Sequence, residues 1–162
     1  MLFRSIVRDA LDRESRTVSD LVTILDEELY PGGLTTGYPD DAGIDLAVRV
    51  SSQQMHAYET YRAPLGVSVD VPKAHFGMII PRSSTATSGI QVSPNVIDPG
   101  YTGEVHAWLT SSLPERYTRG KALVQLVIIP CLLAGAAPRY DEPRCDKTLG
   151  SSGARTDKET LT

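Results

Sequence analysis

The sequence predicts an all-β domain, a jelly-roll-like distorted β-barrel, with a short N-terminal helix before it and a flexible C-terminal tail after it. Two observations support this fold class. Short runs of apolar and β-branched residues alternate with turn residues along most of the 162-residue chain, which is typical of sandwiches and barrels. Helical spacing of apolar residues occurs only near the N-terminus. We therefore expect one β domain with two unlike ends.

The elements follow in chain order. Apolar residues at helical spacing predict an amphipathic helix over residues 2–13, inside an N-terminal extension of residues 1–20. The β domain is expected over residues 21–138. Its strands are expected at residues 21–25, 44–50, 61–71, 76–80, 89–92, 104–109 and 123–129. Residues 139–162 are polar and contain Pro143, Gly150 and Gly153, so they cannot build a core of their own and are expected to form a tail or lid.

Composition excludes several classes of protein. Acidic residues outnumber basic ones, 20 to 16, which argues against binding nucleic acid through a basic face. No stretch approaches the roughly 20 apolar residues of a membrane span, and the N-terminus lacks the apolar core of a signal peptide. Cys131 and Cys145 have no metal-like spacing and are expected to be free thiols. The expected location is the cytoplasm, or the host-cell cytoplasm if the chain is viral.

Five segments combine turn residues with polar side chains suited to chemistry. They are residues 41–46, 81–90, 95–105, 120–126 and 144–153. In this order and spacing they resemble the five motifs of the trimeric dUTPase family, over roughly residues 22–153. The resemblance implies a dUTPase-like fold and hydrolysis of dUTP to dUMP and pyrophosphate. It also implies Mg²⁺ held by the substrate phosphates and by waters, with no direct protein ligand. A homotrimer with shared active sites, whose tail closes over the bound nucleotide, is implied as well.

The third segment has the catalytic role in this resemblance. Asp98 is implied to be the general base that activates the water attacking the α-phosphate. Tyr101 is implied to lie under the deoxyribose, where it excludes a 2′-hydroxyl. The backbone around Asn95 and Ile97 is implied to read uracil. Asn95 stands where the family usually has Gly, and Asn is among the few residues that tolerate a left-handed backbone.

Phosphate contacts are implied for the second and fourth segments. Arg82 supplies fixed charge and buttresses the site, while Ser83 and Ser84 supply hydroxyl donors. Gln125 interrupts an apolar strand, which predicts a buried amide that needs hydrogen-bond partners, and the resemblance implies that it donates to a phosphate oxygen. Asp45 is implied to support the metal and water shell indirectly, and its position between two apolar residues predicts that it points away from the core.

The fifth segment departs most from the family pattern. Arg144 is implied to reach the γ-phosphate, and Gly150 and Ser151 to present backbone N–H groups to phosphate oxygens. Leu149 replaces the aromatic residue that stacks on the base. Leu149 can therefore cover uracil without stacking on it.

Two other functions stay open at this point. A dCTP deaminase shares the fold and parts of the second and third segments, but its pattern has a glutamate where this chain has Trp108 and an arginine where it has Thr87. A non-catalytic nucleotide-binding regulator is the second alternative, suggested by the altered fifth segment and the additional N-terminal helix.

Overall fold

The computed structural model of the chain describes residues 17–50, 52–113, 115–136 and 145; for residues 52–55, 115 and 116 it describes the backbone alone. The predicted helix over residues 2–13 lies outside these residues, as does the predicted tail except for Cys145. Within the described part, no helix has the length and apolar character needed to cross a membrane.

The described residues form eleven strands, one 3₁₀ turn (Val18–Leu21) and one short helix, α1 (Ser83–Ala86). The strands are β1 (Val22–Ile24), β2 (Ile44–Ala47), β3 (Ser52–Met55), β4 (Thr60–Pro64), β5 (Val67–Val69), β6 (His75–Pro81), β7 (Ile90–Ser93), β8 (Asn95–Ile97), β9 (His106–Ser111), β10 (Glu115–Thr118) and β11 (Ala122–Pro130). The predicted all-β architecture is confirmed.

Two larger antiparallel sheets enclose the core. One has the strand order β2-β11-β6-β8 and the other β4-β9-β7, while β1-β5 and β10-β3 form two-stranded sheets. Alternate side chains along each strand face inward. Leu46, Ile79 and Leu126 from the larger sheet and Ala63 and Leu109 from the smaller one join a single buried cluster. The consecutive strands β8 and β9 belong to different sheets, so the loop between them connects the two layers.

The structure corrects the predicted strand over residues 61–71. It is two strands, β4 and β5, separated by Gly66 at φ +66°. The Gly66 carbonyl accepts hydrogen bonds from the N–H groups of Leu25 and Asp26 at 2.8 and 3.2 Å, so the break also anchors the chain after β1. Strands β3, β8 and β10 were not predicted. Strands β3 and β10 lack the apolar alternation that indicates a strand and pair with each other, and β8 spans only Asn95–Ile97.

The outer face of the four-stranded sheet is apolar over most of its length. Cross-strand pairing places Val127 beside Met78 and Met78 beside Val96, with Ile129 beside Phe76. We call this surface the outer apolar face; its residues are Phe76, Met78, Ile80, Val96, Val127 and Ile129. All are incompletely buried in the single chain, and Val96 is 46% exposed.

Candidate active site

Arg82 joins three elements at one end of the four-stranded sheet. It follows β6 and precedes α1, and its Nε and Nη2 donate to the two carboxylate oxygens of Asp45, each at 2.8 Å. Its Nη1 donates to the Ala122 carbonyl at 3.1 Å. Such a two-point pair fixes direction as well as distance. Arg82 therefore holds Asp45 and β11 in place, and only its remaining N–H groups are available to a ligand.

Gln125 and Asp45 lie side by side on the outer face of this sheet. Gln125 pairs across the strands with Asp45 and Ile80, and its Nε2 donates to the Pro81 carbonyl at 3.2 Å. The amide was expected to be buried, but it is half-buried because, from Gln125 onward, the odd-numbered residues of β11 lie on the outer face of the sheet. Asp45 points away from the core, as predicted.

Ser83 and Ser84 form the exposed first turn of α1 beside Arg82. Two hydrogen bonds to the Leu123 carbonyl tie this turn to β11, one from the Arg82 N–H at 3.2 Å and one from the Thr85 hydroxyl at 2.6 Å. The hydroxyls of both serines thus lie at the same sheet end as Gln125 and Asp45. We call these five residues (Asp45, Arg82, Ser83, Ser84 and Gln125) the β6-end cluster.

Asp98 and Tyr101 lie in the loop between β8 and β9. Asp98 is half-buried, and its carbonyl accepts the Tyr101 N–H at 3.3 Å across a turn. Gly100 in that turn has φ +82°. The Tyr101 ring is 3% exposed, and its hydroxyl donates to the Glu104 carbonyl at 2.8 Å. Tyr101 therefore offers only a narrow edge to any ligand of the single chain.

Asn95 connects the two sheets below this loop. Asn95 is buried in β8, and its backbone is not left-handed. A left-handed backbone had been considered because the family usually has Gly at this position. The Asn95 Nδ2 donates to the His106 carbonyl on β9 at 2.8 Å. The Ile97 side chain is fully buried and packs on Gly77, so Ile97 can present only its backbone to a ligand.

Burial lowers the pKa of the His106 imidazole below its usual value, and the nearby Arg62 guanidinium lowers it further. The Arg62 Nη2 lies 3.3 Å from His106 Nδ1, and the same guanidinium lies 5.9 Å from the centre of the Trp108 ring. These three side chains share the outer face of the smaller sheet.

The chain separates the predicted site residues into two groups. Ile97 pairs with Gly77 on β6, and Arg82 follows five residues later. At about 3.3 Å per strand residue, the two levels are roughly 17 Å apart. Because β8 runs antiparallel to β6, Asp98 lies beyond Ile97 and still farther from Arg82. A single chain therefore does not bring the Asp98 loop and the β6-end cluster together.

Cys145 brings the beginning of the fifth segment to the Asp98 loop. Its carbonyl accepts the Thr102 N–H at 2.9 Å, and it forms a parallel bridge with Tyr101. Arg144, Leu149, Gly150 and Ser151 lie outside the described residues. Cys145 and Cys131 are both free thiols, as predicted.

Two residues with clear structural roles were not singled out from the sequence. Gly43 lies against the Gln125 amide: an added Cβ would contact Oε1 and would lie 3.1 Å from Cδ. The Glu104 carboxylate makes three contacts with two residues, Arg49 and Gly66, below the Asp98 loop. Both residues lie inside motif segments, Gly43 in residues 41–46 and Glu104 in residues 95–105, and this position in the sequence could have indicated their importance.

The described residues contain no group of three or more His, Cys, Asp or Glu side chains placed to hold a metal ion. The Asp45 carboxylate, the one acid of the β6-end cluster, is held by Arg82 on both oxygens.

Comparison with known proteins identifies the family. The dUTPase family model matches residues 33–153. The chain is 30% identical over 154 residues to the deoxyuridine 5'-triphosphate nucleotidohydrolase of Bifidobacterium longum, covering 90% of this chain and 96% of that protein. It is 31% identical over 103 residues to the corresponding protein of Ictalurid herpesvirus 1, covering 64% of this chain and 53% of the relative. The chain thus spans about half the length of the herpesvirus protein. It also spans 13% of the Gag-Pro polyprotein of simian retrovirus SRV-2, with 34% identity.

Solved structures show the same fold. The dUTPase of Staphylococcus bacteriophage 80alpha with dUPNHPP has a TM-score of 0.60 at 19% identity, covering 82% of this chain and 96% of that one. The native EIAV dUTPase has a TM-score of 0.57 at 28% identity, covering 67% and 91%. With the family model matching most of its length, the chain belongs to the dUTPase family.

Proposed function

We propose that the chain hydrolyses dUTP to dUMP and pyrophosphate in a site assembled from the Asp98 loop of one copy and the β6-end cluster of another. The observation on which this rests is the distance of roughly 17 Å or more between the two groups within one chain. Both groups occupy motifs of the dUTPase family, whose model spans residues 33–153. A second copy provides the missing half of each site.

The outer apolar face supports the proposed homotrimer. It joins the outward-facing Asp45 and Gln125 at one end to the edge strand β8 at the other. A continuous apolar surface of this kind indicates an interface in a protein with a small core. Covering it with another copy of the chain would place a second subunit beside the β6-end cluster.

Asp98 is proposed to act as the general base. Its carboxylate takes a proton from a water molecule, which attacks the α-phosphorus in line with the leaving pyrophosphate. The hydroxyls of Ser83 and Ser84 and the amide of Gln125 donate to phosphate oxygens as charge develops there. Arg82 maintains the arrangement by holding Asp45, and Arg144 is proposed to add a cation from the tail.

Mg²⁺ bound to the triphosphate would neutralise part of its negative charge. Coordination of a structural Mg(II) ion is reported for the D95N mutant of the dUTPase from phage phi11 of S. aureus, whose fold is similar with a TM-score of 0.61 at 18% identity. In this chain Asp45 is proposed to orient water molecules around such an ion while it remains paired with Arg82.

Base and sugar selection are proposed to depend on the Asp98 loop and its stem. The backbone between Asn95 and Ile97 can match the acceptor–donor–acceptor edge of uracil. The Asn95 amide donates to His106, which directs it away from the base position that the family's Gly would leave open. The exposed edge of Tyr101 is proposed to exclude a 2′-hydroxyl by contact.

The decisive experiment measures pyrophosphate release from dUTP, dCTP, dTTP and UTP for the wild type and for Asp98→Asn. We expect rapid release from dUTP only, and an Asp98→Asn variant that binds dUTP without turning it over. Ammonia release from dCTP would indicate a deaminase instead. Tight dUTP binding by an inactive wild type would indicate a regulator, and an equally fast Asp98→Asn variant would disprove the mechanism.

A further inference from the structure

We propose that Arg49 and Glu104 are positioning residues that hold the Asp98 loop in register and thereby set the discrimination between deoxyribose and ribose. This inference rests on the proposed function of the Asp98 loop. Neither side chain is proposed to touch the nucleotide. Both act on the loop from below, through the contacts that follow.

The Glu104 carboxylate has three hydrogen-bond donors. Arg49 Nε donates to Oε1 at 3.0 Å and Nη2 to Oε2 at 3.0 Å, and the Gly66 N–H donates to Oε1 at 2.9 Å. The Glu104 side chain is 20% exposed. Two-point binding by a guanidinium restricts the carboxylate in direction as well as distance. The end of the loop is therefore fixed to the β4–β5 turn.

The backbone of the same residue holds the phenol. Tyr101 Oη donates to the Glu104 carbonyl at 2.8 Å, and the ring packs on Gly103, where an added Cβ would lie 2.9 Å from Cζ. Glu104 thus binds the scaffold with its side chain and Tyr101 with its main chain. A shift of Glu104 must move the phenol with it.

Backbone hydrogen bonds around Gly66 and Val105 fix the position of Glu104. Leu65 N–H donates to the Val105 carbonyl at 3.0 Å, and Val105 N–H donates to the Val67 carbonyl at 2.8 Å. Gly66 lies between these two bonds at φ +66°, and an added Cβ there would lie 3.5 Å from Arg49 Cδ. Loss of the Arg49 side chain would leave the Glu104 carboxylate with its main-chain donor but without its counter-ion.

A second pair of the same type offers a matched control. Arg119 Nη2 donates to both oxygens of Asp26 at 2.8 and 2.7 Å, and Arg119 Nη1 donates to the Arg49 carbonyl at 3.0 Å. Arg119 therefore supports the same region of the scaffold, but its partners are Arg49, Asp26 and Glu28 rather than residues of the Asp98 loop. The Arg119→Ala variant therefore measures how much the loss of one such ion pair lowers Tm when the Asp98 loop keeps its own contacts.

The test compares Arg49→Ala, Arg49→Lys, Glu104→Gln and Arg119→Ala as full-length proteins. Initial rates with dUTP and UTP give the ratio of the two kcat/KM values, and thermal unfolding gives Tm. Calorimetric binding of the imido analogues of dUTP and UTP gives the same ratio without turnover. Since small displacements of positioned groups can cost up to about 100-fold in rate, we expect a loss of about 10-fold in the dUTP-to-UTP ratio for Arg49→Ala.

The other variants sharpen this expectation. Arg49→Lys keeps the charge but not the two-point geometry, so it should retain part of the discrimination, and Glu104→Gln should lose about as much as Arg49→Ala. Arg119→Ala should lower Tm without changing the ratio. The inference is overturned if Arg49→Ala and Glu104→Gln lower Tm and leave both ratios unchanged, or if Arg119→Ala changes the ratios equally.

The two proposals fail in different ways. A wild type that binds and discriminates the analogues but releases no pyrophosphate contradicts the proposed function, while the binding ratios still decide the role of Arg49 and Glu104. An active wild type whose ratios are insensitive to Arg49 contradicts the positioning role only. A wild type that binds neither analogue contradicts both.

Discussion

Gly43 and Gly103 have no left-handed backbone, yet each lies directly against a residue of the candidate site. Gly43 accommodates the Gln125 amide, and Gly103 accommodates the Tyr101 ring. At both positions the absence of a side chain is required by a neighbour rather than by backbone conformation. The requirement for glycine at both positions therefore comes from the neighbouring site residue. Substitution of either glycine should displace that residue before it disturbs the rest of the fold.

Gly43→Ala is expected to displace the Gln125 side chain. Overpacking of this kind lowers the free energy of unfolding by about 1–3 kcal/mol, and the KM for dUTP should rise because the amide no longer points toward the phosphates. Kinetics and denaturant unfolding of Gly43→Ala, Gln125→Ala and the double variant measure the coupling. Because Gln125→Ala removes the clash, the double variant should be no worse than Gln125→Ala alone. Additive effects would contradict this explanation.

His106 should make stability depend on pH. Its folded pKa is below the usual 6.5, since burial and Arg62 both disfavour the imidazolium. Between the folded pKa of His106 and 6.5, the unfolded chain binds more protons than the folded chain does. The contribution of His106 to the free energy of unfolding is therefore fully present above about pH 6.5 and is lost as the pH falls through the folded pKa. Comparing Tm at pH 7.5 and pH 5 should show a smaller decrease for His106→Gln than for wild type. A variant at the exposed His56 should behave like wild type, and an unchanged decrease in His106→Gln would refute the assignment.

At the scale of elements, the connection between β8 and β9 determines the geometry of the Asp98 loop. The two strands belong to different sheets, so main-chain pairing does not close the stem of this loop as it closes an ordinary hairpin. The Asn95 amide supplies that closure by donating to the His106 carbonyl. Glu104 then fixes the far side of the loop to the β4–β5 turn.

Asn95→Ala is expected to lower the free energy of unfolding by about 1–3 kcal/mol, since it leaves a main-chain acceptor without its buried donor. Asn95→Asp is the sharper variant, because an ionised carboxylate of nearly the same shape cannot donate and is repelled by the carbonyl. Urea unfolding at pH 7 should rank wild type above Asn95→Ala and Asn95→Ala above Asn95→Asp. An Asp variant as stable as wild type would show that the hydrogen bond contributes nothing.

At the scale of the whole molecule, the proposed site exists only in an assembly. Asp98 and Gln125 lie at opposite ends of the four-stranded sheet, and the side chains of the outer apolar face between them are incompletely buried by the residues that the structure describes. In the proposed assembly, one interface would both bury the apolar surface and complete the site. Catalysis should depend on protein concentration wherever the oligomer dissociates.

Mixing two impaired variants, one from each group, tests this sharing directly. Asp98→Asn chains and Gln125→Ala chains, co-refolded in equal amounts, should form mixed oligomers in which some sites receive an intact loop from one chain and an intact β6-end cluster from another. Those sites should restore a fraction of the wild-type rate of pyrophosphate release. Each variant refolded alone is the control. If mixed oligomers form but no activity returns, both groups act within one chain.

The sequence by itself determined the fold class and predicted which residues form the site. Alternating apolar runs and turn residues are local signals, and they placed most strands of both larger sheets within a few residues of their observed ends. The order of the five motifs indicated the family, and the position of Asp45 between Ile44 and Leu46 predicted its outward orientation from strand periodicity alone.

Only the tertiary structure decided how these residues are grouped. Residues 52–55 and 115–118 lack apolar alternation, so their strands arise from pairing with each other. The partnership of Arg82 with Asp45, the Asn95 bridge to His106 and the fit of Gly43 to Gln125 join residues 11 to 82 positions apart. The separation of Asp98 from the β6-end cluster depends on the antiparallel register of β8 and β6. Register is a property of paired strands, and the pattern of any one strand does not contain it.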